Sequence, residues 1–361
     1  MKLALTAGGT GGHILPALTV MDAVRQATES VEVRFFGPEG RGEREMVEAR
    51  GLRFEAVSAA AVRGKSPLQL ARAAGRLTLG LWTAMRKLRA FRPNVVFSTG
   101  GYASFPCSLA ARMLRIPLVV FLPDVEPGWA VRVEKRLATR IATTTEAARA
   151  QLPAEKTYVT GYPVREEFRN ADRAETRTTL GAGEGPVVLV AGASQGAAAI
   201  NRAVFRALPE LCSRSTVVHI TGRADIEEAE ERRTALAAAG QAAYHPAAFR
   251  DDLPALMVAS DLGVMRAGAS VLGEVPAAAL PSLLIPGRFA GGHQRANAQW
   301  LVDGGAAEVL DEARIGEVLP RIFTLIDSPA RLEAMRHAAR ALDRPEAATD
   351  IARIVMEVAR T

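Results

Sequence analysis

Cysteine is nearly absent: two residues in 361, Cys107 and Cys212, one in each half of the chain. So sparse a set excludes a disulfide framework and favours a reducing compartment. Long apolar runs are missing too, and none approaches the ~18 residues of a spanning helix. The first residues carry one basic side chain and no apolar h-region before glycines begin, so no signal peptide is expected there. Aromatics make up only 5% of the chain, and the basic stretch 65–92 offers Trp82 but no aromatic ladder for stacking on single-stranded nucleic acid. Acidic residues are absent between Glu55 and Asp124, a stretch that holds ten Arg and Lys. The remaining 35 basic and 39 acidic residues nearly balance, so the net charge of +6 belongs to this one region.

What is present is a chain long enough, and at 48% hydrophobic apolar enough, for two domains with separate cores. The opening Lys2-Leu3-Ala4-Leu5-Thr6 is a β-type run that breaks into Gly8, Gly9, Gly11 and Gly12, then His13 and the helical Ile14-Leu15-Pro16-Ala17-Leu18. A strand, a glycine loop and a helix start form a cradle for an anion, because the first helical N–H groups are unpaired and carry the positive end of the dipole. It is no P-loop, since His13 and Ile14 stand where Lys and Ser/Thr are needed. The dinucleotide pattern G-x-G-x-x-G counted from Gly9 fails at Ile14. A histidine beside a phosphate cradle fits a general base in group transfer, and it equally fits a helix-start residue bonded to backbone.

The same layout recurs at Pro186–Ala197, where Val187-Val188-Leu189-Val190 leads to Gly192, Ser194, Gln195 and Gly196. Further β-type runs at Val31–Phe36, Asn94–Phe97, Ser215–Ile220 and Ser282–Ile285 alternate with alanine-rich helical stretches, the signature of βαβ units. The expected fold class is therefore α/β, with two Rossmann-like, doubly wound parallel-sheet domains facing across a cleft. Gly161-Tyr162-Pro163-Val164-Arg165 reads as the connector. Boundaries are expected at 1–162 plus 344–361 for the first domain and 163–343 for the second.

Six motifs in order make the chain similar to the bacterial MurG glycosyltransferases. They are Gly8–His13, Thr99–Tyr102, Gly161–Arg165, Ala193–Ala197, Arg266–Ala269 through Glu274, and His293–Ala298. The resemblance implies the GT-B fold, with the helix from Ala347 to Arg360 returning to the first domain. It also implies inverting transfer of N-acetylglucosamine from UDP-GlcNAc to a prenyl-diphosphate-linked muramoyl pentapeptide. No cofactor or metal is expected. Ser194, Gln195 and Gly196 would hold the UDP diphosphate at a helix start, and Glu274, with Ala269 and Ser270 before it, would accept from the ribose hydroxyls. Gln294 and Asn297, at i and i+3, would present amides to the sugar. Arg165 would reach the phosphates or the uracil, and Phe249 would flank the nucleotide unless it is core. The loop Thr10-Gly11-Gly12 is expected to serve the donor. Its two glycines, with Gly100, Gly101 and Tyr102, are expected to cradle the acceptor's own diphosphate.

One segment departs from the family. Where His-Glu-Gln-Asn is usual before Pro-Gly, this chain has Phe121-Leu122-Pro123-Asp124. Asp124 cannot donate as Asn does unless protonated, so either the acceptor is held differently or Asp124 replaces His13 as the base. The basic stretch 65–92, with Leu79 and Trp82 among Arg72, Arg76, Arg86, Lys87 and Arg89, reads as a surface for anionic membrane. An ordinary core helix and a nucleic-acid patch are the alternatives, and nucleic acid is not expected. The rival functions are a UDP-GlcNAc 2-epimerase, a sister transferase with another lipid or glycan acceptor, and a nucleotide-sugar-binding subunit.

Overall fold

The computed structural model describes residues 1–8, 11–40, 42–60, 67–192, 196–287 and 292–360; the side chains of 67–71 and 129 also fall outside the description. The chain divides into two compact units, Met1–Val164 with Pro345–Thr361, and Arg165–Arg344. The division falls two residues beyond the boundary expected inside the Gly-Tyr-Pro connector, and one residue beyond it at Arg344.

Unit 1 is built on seven strands: β1 Lys2–Thr6, β2 Glu32–Gly37, β3 Arg53–Ala56, β4 Val95–Ser98, β5 Leu118–Leu122, β6 Arg140–Thr143 and β7 Thr157–Val159. All pairs are parallel, in the order β3-β2-β1-β4-β5-β6-β7. Unit 2 has β8 Val187–Ala191, β9 Thr216–Ile220, β10 Tyr244–Ala247, β11 Leu262–Met265, β12 Ser282–Leu284 and β13 Ala307–Val309, also parallel, in the order β10-β9-β8-β11-β12-β13. The inner strands are largely apolar because helices cover both faces: β4, β5 and β9 are buried at every position. The strand order reverses between β1 and β4 in unit 1 and between β8 and β11 in unit 2. Within each unit, the loops at the carboxyl ends of the two strands at the switch point occupy the position where α/β sheets bind ligands.

The helix Pro67–Phe91 carries the basic stretch and has one buried and one exposed face. Ala73, Ala84, Leu88 and Phe91 are buried, so one face is core. The opposite stripe of Arg72, Arg76, Leu79, Trp82, Arg86 and Arg89, at three- and four-residue spacing, is exposed, with Leu79 at 53% and Trp82 at 59%. Lys87 leaves the expected basic face, because its ammonium lies 2.9 Å from Glu55 at the end of β3. Burial pushes the Glu55 carboxyl up, but Lys87, Arg53 and Arg34 outweigh it and hold it below the usual range. Gly80 lets this helix pass close to the loop after β3, where a β-carbon would stand 1.9 Å from the Ser58 carbonyl oxygen.

The helix Ala347–Ala359, downstream of all of unit 2, packs against the helix Gly11–Ala27 and against β4, β5 and β6. Its buried face of Ile351, Ala352, Ile354, Val355 and Val358 closes the unit 1 core.

Candidate active site

In unit 1, β1 ends at Thr6, and after Ala7 and Gly8 the helix Gly11–Ala27 begins; Gly9 and Thr10 lie outside the described residues. Pro16 sits inside that helix and has no N–H for the carbonyl four residues back, at Gly12. The Tyr162 hydroxyl supplies the missing bond, donating to Gly12 O at 3.1 Å.

Beside it, β4 gives way to Thr99, Gly100 and Gly101, with φ of 76° and 86° at the two glycines. That left-handed conformation strains any residue with a side chain, and here space forbids one as well. A β-carbon on Gly101 would lie 2.7 Å from Gly8 Cα, and one on Gly8 would lie 3.0 Å from His13 Cδ2. The turns after β1 and β4 thus touch backbone to backbone, with the His13 ring against them. His13 Nδ1 is 2.9 Å from the Thr99 carbonyl oxygen, and the Thr99 hydroxyl donates back to His13 O at 2.7 Å. A carbonyl can only accept, so Nδ1 carries the proton and Nε2 the lone pair. The ring is bonded to backbone, and that bond fixes its orientation.

The segment Phe121–Asp124 divides. Phe121 and Leu122 are fully buried strand residues, with the Phe121 ring 5.9 Å from the Tyr162 ring. They belong to the sheet core. The loop after them is pinned by Thr144 Oγ1 donating to Pro123 O at 2.9 Å, Gln151 Nε2 to Val125 O at 3.3 Å and Arg132 Nε to Pro127 O at 3.0 Å. Asp124 is half-buried at the head of this loop.

Sequence reasoning missed Glu134, on the helix Trp129–Leu137. It is fully buried under the Gly100 turn, and its carboxyl receives Ser108 Oγ at 2.6 Å, Ser104 Oγ at 2.8 Å and Ser98 Oγ at 3.3 Å. Burial pushes its pKa up to about 7, against the pull of the three hydroxyls. The available signal was positional: Val131, Glu134 and Ala138 share one helix face, and a glutamate there must be buried.

In unit 2, β8 leads to Gly192, and the chain is described again from Gly196; Ala193, Ser194 and Gln195 lie outside the described residues. Gly196 has φ 74°, and a β-carbon there would meet Thr221 O at 2.6 Å. The helix Ala198–Cys212 follows. Beneath it His219 bridges Tyr244 and Asn201, Nδ1 to the hydroxyl at 3.0 Å and Nε2 to the amide oxygen at 3.0 Å. Asn201 Nδ2 in turn donates to Thr221 O at 2.8 Å. This buried network ties the first turn of that helix to β9 and β10, and burial pushes His219 down to about 3, so it is neutral.

After β11 come Arg266, Ala267, Gly268, Ala269 and Ser270, then the helix Val271–Ala278 with Glu274 one turn in. Burial raises the Glu274 pKa, offset by the Ser270 hydroxyl and the charge of Arg165. Arg165 donates to Asp251 O at 3.3 Å through one terminal nitrogen, while its buried Nε has no partner among the described residues. Phe249 is 63% exposed, which excludes the core alternative.

The amide pair also divides. Gln294 is half-buried, its oxygen accepting from Gly287 N at 2.7 Å. Asn297 is fully buried and donates to Ala267 O at 3.2 Å, so it braces the loop after β11 instead of facing a hexose.

Two parallel sheets of this order, each with a glycine turn and a helix start at its switch point, define the GT-B class of nucleotide-sugar enzymes. Residues 3–143 match the glycosyltransferase family 28 N-terminal domain, and 187–352 match its C-terminal domain. The "UDP-N-acetylglucosamine--N-acetylmuramyl-(pentapeptide) pyrophosphoryl-undecaprenol N-acetylglucosamine transferase" of Roseiflexus sp. (strain RS-1) is 35% identical over 415 residues, covering 98% of this chain and 94% of its own. The crystal structure of Acinetobacter baumannii MurG superposes with a TM-score of 0.74 at 24% identity, over 99% of both chains. UDP-GlcNAc 2-epimerase from Neisseria meningitidis, bound to UDP-GlcNAc, gives 0.66 at 14% identity over 99% of this chain and all of its own, a likeness of fold alone. The chain belongs to the MurG family of glycosyltransferases.

Proposed function

We propose that the chain transfers N-acetylglucosamine from UDP-GlcNAc to a prenyl-diphosphate-linked muramoyl pentapeptide, with inversion at the anomeric carbon. The observation that carries this reading is His13 set against two touching glycine turns, with Nδ1 committed to the Thr99 carbonyl, which leaves Nε2 as the ring nitrogen to take a proton. The acceptor hydroxyl gives its proton to His13 as its oxygen attacks the anomeric carbon, and the sugar–phosphate bond breaks toward UDP. Gly100, Gly101 and Tyr102 receive the acceptor's diphosphate.

The donor is held by unit 2. The turn through Gly196 and the start of the following helix face the UDP phosphates and stabilise the charge that develops on departure. The unpaired Nε of Arg165 supports a contact with the nucleotide, and exposed Phe249 offers a ring for the base. Glu274 accepts from the ribose, and Gln294 contacts the sugar. Asn297 acts by holding the Ala267 loop in place. The stripe from Arg72 to Arg89 lies on anionic membrane, with Leu79 and Trp82 at the headgroup boundary, which brings the enzyme to a lipid-linked acceptor.

The test is incubation with radiolabelled UDP-GlcNAc, with and without the prenyl-diphosphate muramoyl peptide. Labelled lipid-linked disaccharide should form only when the acceptor is present; an epimerised sugar formed without acceptor would replace this reading by the epimerase one. His13→Ala should lower kcat by about 10²–10⁴ and Asp124→Asn by less, with donor binding intact in both. Wild-type kcat in His13→Ala beside an inactive Asp124→Asn would give the proton to the carboxylate.

A further inference from the structure

We propose that Glu134 is a positioning residue: through Ser98 and the Thr99–Gly100 peptide it orients His13, and through Ser104 it pins the Gly101 carbonyl. The inference rests on the reading of His13 as the base.

The chain of bonds is continuous. Ser98 Oγ donates to the Glu134 carboxyl at 3.3 Å and accepts from Gly100 N at 3.2 Å. In a trans peptide the N–H and the preceding C=O point in opposite directions. With Gly100 N–H drawn down to Ser98, the Thr99 carbonyl is turned up, toward His13 Nδ1 at 2.9 Å. One buried carboxyl therefore fixes the tautomer and orientation of the imidazole through a hydroxyl and one peptide plane. Contact is close along the whole path: a β-carbon on Gly100 would lie 2.8 Å from Val131 Cγ2 and 4.0 Å from Glu134 Oε2.

The second branch depends on proton count. Ser104 Oγ lies 2.8 Å from both Glu134 Oε1 and the Gly101 carbonyl oxygen, but a hydroxyl has one hydrogen to give. When Glu134 is a carboxylate, that hydrogen is drawn to it. When Glu134 is the acid, its own proton serves a serine oxygen and the Ser104 hydrogen is released to Gly101 O. Holding that carbonyl inward turns the Tyr102 N–H outward, by the same peptide geometry. Burial brings the carboxyl to about 7, so both forms are within reach near neutral pH.

Among the described residues, little else near Glu134 titrates. From the helix Phe105–Met113 it is faced by Ser108 and by the Cys107 thiol, which burial pushes up to about 12 and keeps neutral. β4 offers Ser98, and β5 only apolar side chains. On its own helix Arg132 and Lys135 bond the carbonyls of Pro127 and Gln151, and Arg136 is exposed. Lys87, the nearest cation acting on Cys107, is paired with Glu55.

The experiment is nitrogen NMR of the full chain, read at the His13 ring and at the Gly100 and Tyr102 amides, with kcat and KM measured beside it. In Glu134→Leu the His13 ring should lose its single Nδ1–H tautomer, and kcat should fall about three- to tenfold with donor KM unchanged. Glu134→Gln, which copies the acid form, should restore both and remove a wild-type shift of the Tyr102 amide between pH 6 and 8. Should the leucine variant not fold, Ser98→Ala should disturb the His13 nitrogens and the Gly100 amide but not the Tyr102 amide, and Ser104→Ala the Tyr102 amide alone. Unchanged His13 nitrogens and Gly100 amide in Ser98→Ala, or a Tyr102 amide that does not move with pH in the wild type, would overturn the proposal. Full turnover in His13→Ala would instead refute the assignment of the base, and the NMR signatures would still decide the positioning role.

Discussion

Two buried groups give the two units opposite responses to acid. His219 moves from the ordinary 6.5 down to about 3 on burial, so below pH 6.5 the unfolded chain binds a proton that the native state refuses. Stability from this group is complete above 6.5 and is lost as pH falls toward 3. Between pH 7 and pH 5 the loss is about 2 kcal/mol, from the ratio of the two binding polynomials. Glu134 moves the other way, from 4.5 up to about 7, so its stabilisation is complete below 4.5 and is lost as pH rises through 7. Over the same interval acidification returns about 2 kcal/mol to unit 1.

A global melting curve would show the two nearly cancelling. Hydrogen exchange followed by peptide separates them, after correction for the intrinsic pH dependence of exchange. Protection of β8 and β9 should fall about thirtyfold from pH 7 to 5, while protection of β4 and the helix Trp129–Leu137 should rise by a similar factor. Other unit 2 groups contribute: burial lowers His245 and raises Glu274, with opposite signs. The decisive quantity is therefore the difference in pH slope between the wild type and His219→Leu. If the variant keeps the wild-type slope across β8 and β9, His219 is not the neutral buried group described here.

Glu274→Ala should raise the donor KM about tenfold with a smaller change in kcat, because a ribose contact is felt nearly equally in ground and transition states; steady-state kinetics with an unaltered KM would remove it from the site. Reversing Arg76, Arg86 and Arg89 to Glu should release the protein from anionic vesicles in a flotation assay while activity on a short-chain soluble acceptor persists. Lys87 is left out because its partner Glu55 would be stranded. Gly101→Ala should destabilise unit 1 by about 1–3 kcal/mol in urea unfolding, since φ is 86° and the new methyl would overlap Gly8; an unshifted midpoint would contradict the packing of the two turns.

The glycine turns were legible because a β-type run, glycines and an apolar helical period are local signals, each read from a few adjacent residues. The exposed stripe on the helix Pro67–Phe91 was legible in the same way, but periodicity could not tell that Lys87 turns toward Glu55, a residue on another strand. Motif spacing placed Gln294 and Asn297 on one helix. Only tertiary packing puts Asn297 beneath the Ala267 carbonyl. Glu134 escaped for a related reason. Its three partners come from β4, from the turn after it and from the helix Phe105–Met113, and no sequence window holds them together. Phe121 and Leu122 read as lost polar contacts, whereas the structure makes them the middle of a sheet.

The return of residues 345–359 to unit 1 sets an order of synthesis on the ribosome. All of β8 to β13 emerges, and unit 2 can close, before the helix Ala347–Ala359 exists. Until then the helix Gly11–Ala27 and one face of β4, β5 and β6 lack the apolar cover that Ile351, Ile354, Val355 and Val358 provide. The unit made first is thus finished second. A nascent chain stalled in this stretch would display a folded unit 2 and an open, aggregation-prone unit 1.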